Sequence, residues 1–143
     1  MEVIFDENNP EKIKEILQGG IREYNYNFFG DYELKRFSAY IQNESAEIIA
    51  GIYGFILKKH GTMRLEFVWV KEDFRKQGLG AQLFKCIDEY AKINKCKYIQ
   101  ATTMDFQGPS FYEKMGYKSV GTIPKWFCDR NEIFFLKEVS FSG

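Results

Sequence analysis

The chain has 143 residues, 45% of them hydrophobic and 17% aromatic, which suits one compact domain over residues 1–143 with a real core and argues against disorder. Its 20 Lys and Arg offset 20 Asp and Glu, so it lacks the excess positive charge that draws proteins to nucleic acid, and any anion must be gripped locally. The longest apolar stretches, such as Ile48 to Leu57, fall short of the roughly 20 residues that span a bilayer, and Met1–Asp6 lacks the basic and apolar blocks of a secretory signal. A cytoplasmic protein without membrane or nucleic-acid partners is expected. Cys86, Cys96 and Cys128 are an odd set without Cys-x-x-Cys spacing, and His60 is the single histidine, so reduced thiols and no metal site are expected.

In chain order, Val3–Phe5 reads as a short strand. Asn8-Asn9-Pro10-Glu11 then caps a helix carrying Ile13, Ile16 and Leu17, which Gly19-Gly20 is expected to stop. Arg22–Phe29, rich in Tyr and Phe, is ambiguous between helix and loop. Arg36–Gln42, Glu47–Leu57 and Met63–Val70 are β-branched and aromatic runs separated by turn clusters, the pattern of consecutive antiparallel strands. From Gly78 the period changes, with Leu79, Leu83, Ile87, Tyr90 and Ala91 at helical spacing up to Asn94. Tyr98–Thr102 reads as a strand and Pro109–Met115 as a short helix ended by Gly116; Lys118–Ile123 and Glu132–Val139 read as closing strands. The class is mixed α/β, with strands dominating.

The segment Val68 to Leu83 carries the chemistry: a hydrophobic strand ends, a short loop follows, and Gly78 and Gly80 open a helix. Orphan N–H groups and about half a positive charge at a helix N-terminus form an anion cradle, and glycine lets a phosphate approach without a Cβ in the way. Glycine early in a helix costs about 1 kcal/mol relative to alanine, so two in one turn call for a reason beyond folding. Leu83 stands where a dinucleotide fingerprint needs Gly or Ala, and no Gly-Lys-Ser/Thr tripeptide completes a Walker loop. Both of those phosphate loops are excluded.

Arg75-Lys76-Gln77-Gly78-Leu79-Gly80 resembles the acyl-coenzyme A signature of the GNAT N-acetyltransferase family, Arg/Gln-x-x-Gly-x-Gly/Ala. A second block, Asp105-Phe106-Gln107-Gly108-Pro109-Ser110-Phe111-Tyr112-Glu113-Lys114-Met115-Gly116-Tyr117, is similar to the family's Asn-x-x-Ala-x-x-(Phe/Leu)-Tyr-x-x-x-Gly-Phe/Tyr segment, with closest similarity to bacterial members carrying Phe-Gln-Ala-Pro-x-Phe-Tyr. Asp105 stands where the family often has Asn, and Gly108 where it often has Ala. The resemblance covers about Ile48 to the C-terminus. It implies a central, twisted, mostly antiparallel sheet of six to seven strands flanked by about four helices, and direct attack of a primary amine on acetyl-CoA with no metal and no covalent enzyme intermediate.

On that resemblance, the coenzyme is held by Val68 and Val70, by Arg75, Lys76, Gln77, Gly78, Leu79, Gly80 and Ala81, and by Asp105 and Tyr112. Val68–Val70 match a family strand whose bulge frees backbone groups for the pantetheine arm. Lys92, Lys95 and Lys97 either add charge for its phosphates or form an ordinary solvated helix end. Tyr112 matches the family's general acid toward the departing thiolate. A phenol of pKa near 10 protonating a thiolate of about 8.5 is uphill by roughly 2 kcal/mol, so Tyr112 either hydrogen-bonds the sulfur or has a lowered pKa; the plainer reading is a core aromatic beside Phe111.

For the general base, strand alternation puts Glu66 on one face with Val68 and Val70, and Leu65, Phe67 and Trp69 on the other. If desolvated, its carboxyl would have a raised pKa suited to a base; an exposed, non-catalytic strand Glu is the other reading. A small-molecule amine is the expected acceptor, bound between Tyr24–Asp31 and the loop from Ile123 to Asn131 with Trp126 and Phe127. A non-catalytic acyl-CoA sensor and a protein or peptide N-acetyltransferase are the alternatives. Edge strands such as Glu132–Val139 offer a route to a homodimer.

Overall fold

The computed structural model describes residues 1–141, which fall into two units, Met1–Tyr32 and the part from Glu33 onward. The first unit holds no strand at Val3–Phe5; its one element is helix α1, Pro10–Phe29, with the proline in its first turn. Gly19-Gly20 does not stop it. The stripe Ile13, Ile16, Leu17 continues through Ile21, Tyr24 and Phe28, and Tyr24 packs on Phe28 one turn later at 5.3 Å, so the glycine pair weakens the helix without ending it. Termination comes at Gly30, whose φ of 68° lets its N–H reach the Tyr26 carbonyl at 2.9 Å.

The second unit is a six-stranded sheet with β1 Leu34–Gln42, β2 Ile48–Leu57, β3 Thr62–Val70, β4 Tyr98–Met104, β5 Lys118–Phe127 and β6 Arg130–Glu138. Helix α2, Leu79–Ile93, joins β3 to β4 and α3, Pro109–Lys114, joins β4 to β5; a single 3-10 turn, Glu72–Phe74, precedes α2. The strand order is β1-β2-β3-β4-β6-β5, with β3 and β4 parallel and every other pair antiparallel. This is the expected mixed α/β architecture, with three α-helices among the described residues in place of about four. The expectation for Glu132–Val139 is corrected: β6 lies between β4 and β5, its ladder partners taken on both sides, and the edges are β1 and β5.

One core holds the unit together. Ile52, Ile56, Met63, Leu65, Ile99, Ala101 and Phe135 from the sheet meet Leu83, Phe84, Ile87 and Ala91 from α2 and Tyr112 from α3. At the middle, Phe84 is 1% exposed and stands edge-on to Phe111, Tyr112 and Tyr117 at 5.1, 5.6 and 5.6 Å between centroids, the favoured geometry for aromatic quadrupoles. The helix of one motif block is thereby locked to the helix of the other.

Candidate active site

The site begins with a break in β3. Tyr53 pairs with Phe67 but Gly54 with Leu65, so Glu66 is an extra residue, a β-bulge. A Cβ on Gly54 would come within 2.3 Å of the Arg64 carbonyl, which is why glycine stands opposite the bulge. Beyond it β3 leaves β4: their parallel pairing runs only from Thr62 and Tyr98 to Leu65 and Ala101, while Thr102–Met104 pair on the β6 side alone. The diverging strands leave an opening flanked by the backbone of residues 66–70.

The bulge corrects the alternation drawn from sequence. One extra residue reverses the phase, so Val68 and Val70 pack against the same core as Met63 and Leu65, while Phe67 and Trp69 are exposed. Glu66 is not enclosed between Leu65 and Phe67. It is exposed, and Arg36 donates from Nη1 to its Oε1 at 3.3 Å and to the Tyr53 hydroxyl at 3.4 Å.

At the end of β3 the chain turns into α2. Arg75 donates from Nε to the Val70 carbonyl at 3.0 Å and Gln77 from Nε2 to the Asp73 carbonyl at 3.4 Å, fixing the loop. Lys76 (φ 64°) and Gly78 (φ 81°) take left-handed conformations that swing the helix start outward. The first i to i−4 bond runs from the Gln82 N–H to the Gly78 carbonyl at 3.1 Å, so the N–H groups of Leu79, Gly80 and Ala81 have no partner in the helix. No acidic residue stands in this first turn. Unspent N–H groups, the helix dipole and the exposed cations Arg75 and Lys76 together fit a pyrophosphate.

The two glycines do different work. Around Gly78 nothing lies within 4 Å, and it serves conformation; a Cβ on Gly80 would meet the Phe111 ring at 3.0 Å, so it serves packing. Phe111 belongs to α3, so Gly80 is where the two blocks touch. Lys92, Lys95 and Lys97 are not part of this cradle. They lie in the last turn of α2 and beyond it, about 20 Å along the helix axis from Gly78, and contribute no grip on a phosphate there.

Tyr112 lies in the core, 6% exposed, stacked on Phe135 at 5.2 Å and edge-on to Tyr117 at 5.8 Å. Burial pushes its phenol pKa up, opposite to the lowered value that is one of the two alternatives, and leaves the other, a protonated hydroxyl that donates a hydrogen bond. Tyr117 is driven further in the same direction by burial and then by the neighbouring Asp88 and Tyr112, and its hydroxyl is sealed without a partner. Asp105 ends β4. Its Oδ2 accepts the Asn131 N–H at 3.0 Å and its Oδ1 lies 3.9 Å from Arg130 Nη1, so the carboxylate faces the β5–β6 hairpin.

Residues 35–119 match the profile of the acetyltransferase (GNAT) domain. The chain belongs to the GNAT acetyltransferase family. Blasticidin-S acetyltransferase of Streptomyces morookaense is 29% identical over 65% of this chain and 68% of its own length. A crystal structure of an acetyltransferase from Bacillus cereus superposes with a TM-score of 0.85 at 28% identity, over 96% of this chain and 98% of that one. The same GNAT fold recurs in a Bacillus anthracis protein solved in complex with acetyl coenzyme A, at a TM-score of 0.64 and 20% identity over 80% of this chain and 68% of that one. The protein is therefore a GNAT acetyltransferase, and acetyl-CoA is the acetyl donor of its family. No helix among the described residues is long and apolar enough to cross a membrane, and no cluster of His, Cys, Asp and Glu among them could hold a metal.

The structure thus places Val68 and Val70 beside the β3–β4 opening and Arg75–Ala81 at the start of α2, keeps Tyr112 in the core among Phe84, Tyr117 and Phe135, and turns Asp105 to the hairpin. Sequence reading missed the partners of Asp105, Asn131 and Arg130, and the role of Phe84. The bulge left no mark in the sequence: apolar residues at 63, 65, 67 and 69 keep one parity straight across Glu66.

Proposed function

We propose that this GNAT acetyltransferase moves the acetyl group of acetyl-CoA to the primary amine of a small molecule, by direct attack within a ternary complex, in the cytoplasm. The observation that carries this is the junction of the β3–β4 opening with the unpaired N–H groups at the start of α2. The cradle Arg75–Ala81 receives the pyrophosphate, and the freed backbone of Val68–Val70 takes the pantetheine arm as an added strand would. This is the geometry expected of the bacterial Phe-Gln-Ala-Pro-x-Phe-Tyr type, with Gly108 in the Ala position. Bound acetyl-CoA supplies a thioester whose acetyl carbon the amine attacks, leaving the free thiol.

The protein contributes placement above all, which supplies roughly 7–11 kcal/mol in favourable cases. A backbone N–H of the diverging segment polarises the thioester carbonyl. Tyr112, held by aromatic neighbours on several sides and protonated because burial raises its pKa, donates a hydrogen bond to the departing sulfur. Glu66 takes the amine proton through solvent; exposed and paired with Arg36, it contributes less than about tenfold, below the range of a well-placed base. Trp126 and Phe127 of the β5–β6 hairpin form an apolar wall for the acceptor.

A small-molecule acceptor is favoured because a relative carries the name of one, blasticidin S. The deciding experiment is release of free thiol from acetyl-CoA across lysine, spermidine, kanamycin, blasticidin S and N-terminal peptides. One of the small amines should accelerate release; acceleration by the peptides alone would shift the acceptor class, and acceleration by none would sink the assignment. Tyr112→Phe should lower kcat about tenfold without raising the KM for acetyl-CoA, and an unchanged kcat removes Tyr112 from the mechanism.

A further inference from the structure

The β5–β6 hairpin is strained and loosely paired. Cys128 and Asp129 form a two-residue turn between the paired Phe127 and Arg130, with φ of 49° and 58°, and Lys125 adds a third left-handed residue at 51°. Such residues persist where surrounding contacts over-determine them. Yet between Ile123↔Glu132 and Phe127↔Arg130 the ladder is interrupted, with Pro124, Lys125 and Trp126 opposite Asn131 alone.

What holds this segment is Asn131, and what holds Asn131 is Asp105. The Asp105 N–H donates to the Asn131 carbonyl at 2.9 Å, and the Asn131 N–H donates to Asp105 Oδ2 at 3.0 Å. The side-chain Oδ1 of Asn131 then accepts the Lys125 N–H at 3.1 Å, inside the interrupted stretch and next to Trp126. Arg130 leans over the Phe106 ring at 5.8 Å while facing Asp105 Oδ1 at 3.9 Å. That oxygen is buried and accepts no hydrogen bond, so the carboxylate is committed to the hairpin side.

We infer that Asp105 is a positioning residue for the acceptor, a latch that through Asn131 fixes the segment carrying Trp126 and Phe127. Resting on the acetyl-transfer function proposed above, it gives the Asp at this position a task that a coenzyme ligand does not have. The end of β4 thereby connects the α3 block to the acceptor wall: Gln107, two residues on, accepts the Met104 N–H at 2.9 Å and holds the same corner.

The test uses Asp105→Ala and Asp105→Asn in this 143-residue chain with Trp69→Phe, which leaves Trp126 as its one tryptophan. For Asp105→Ala, Trp126 anisotropy should fall, and amide exchange at residues 125–131 should quicken while α2 stays protected. With the best amine of the panel above, KM for the amine should rise about tenfold or more, with kcat and the KM for acetyl-CoA within twofold of the parent. Asp105→Asn, whose amide oxygen still accepts the Asn131 N–H, should restore most of both signals. An unchanged hairpin signal overturns the latch, and so does an equal rise in the KM for acetyl-CoA. A loosened hairpin with an unchanged amine KM overturns its role toward the acceptor. If no panel amine reacts with the wild-type protein, the acetyl-transfer function falls, and the latch is judged by anisotropy and exchange alone.

Discussion

The start of α2 and the β5–β6 hairpin solve opposite problems. The α2 start is conformationally secured: its left-handed capping position is a glycine, Gly78, and its first turn rests through Gly80 on Phe111 and through Phe84 on a ring cluster. The hairpin places left-handed backbone on Lys125, Cys128 and Asp129, exposes Trp126 and Phe127, and depends on a few polar bonds. In the function proposed above, the coenzyme sits on the rigid cradle and the acceptor against the hairpin, so specificity is placed where packing constrains the chain least.

The largest test of that contrast is Phe84→Ala. Loss of a ring that is 1% exposed should cost about 3–5 kcal/mol in chemical denaturation and weaken acetyl-CoA binding, because the floor under the cradle goes with it. If coenzyme affinity survived in the folded fraction, the cradle would be independent of the core. Next is Gly80→Ala, whose Cβ presses on Phe111. A loss of about 1–3 kcal/mol is expected, together with a higher KM for acetyl-CoA, and Phe111→Leu in the same chain should recover part of both.

Tyr117→Phe probes the same block from below. Its hydroxyl is buried without a partner, so removing it should be neutral or stabilising by about 1 kcal/mol near pH 7. The pH dependence has a definite sign. With folded pKa values of Tyr112 and Tyr117 raised by burial, their stabilisation is complete below the unfolded value near 10 and is lost as pH rises toward the folded values. Unfolding free energy should fall above about pH 10, and Tyr117→Phe should make that fall shallower.

The smallest effect belongs to the hairpin. Cys128→Gly removes a left-handed side chain (φ 49°) and should stabilise by about 0.5–1 kcal/mol while leaving the KM for acetyl-CoA unchanged. A change in coenzyme affinity from this turn would blur the division between the two regions.

The elements with strong local signals were legible. α2 follows from Leu79, Leu83, Ile87 and Ala91 at helical spacing, and β2 and β3 from long β-branched runs bounded by turns. The glycine-opened start of α2 was legible for the same reason, since glycine at a strand-to-helix junction is a local device. Gly19-Gly20 misled because a propensity cost of about 1 kcal/mol per glycine weakens a helix without ending it, and α1 runs on to Phe29. Glu66 misled because strict alternation was carried across a bulge, and a bulge exists only with respect to the strand opposite, here at Gly54.

From the sequence alone came the family resemblance, the glycine-opened helix start and the mixed α/β class, because each is written in residues close together along the chain. Tertiary structure decided the rest. The strand order placed β6 inside the sheet, the bulge set which way Val68 and Val70 face, the ring cluster raised the Tyr112 pKa, and the fold brought Asp105 to Asn131 across 26 positions of chain. Each depends on partners far apart in sequence, and one chain carries no local mark of which distant residue will meet which.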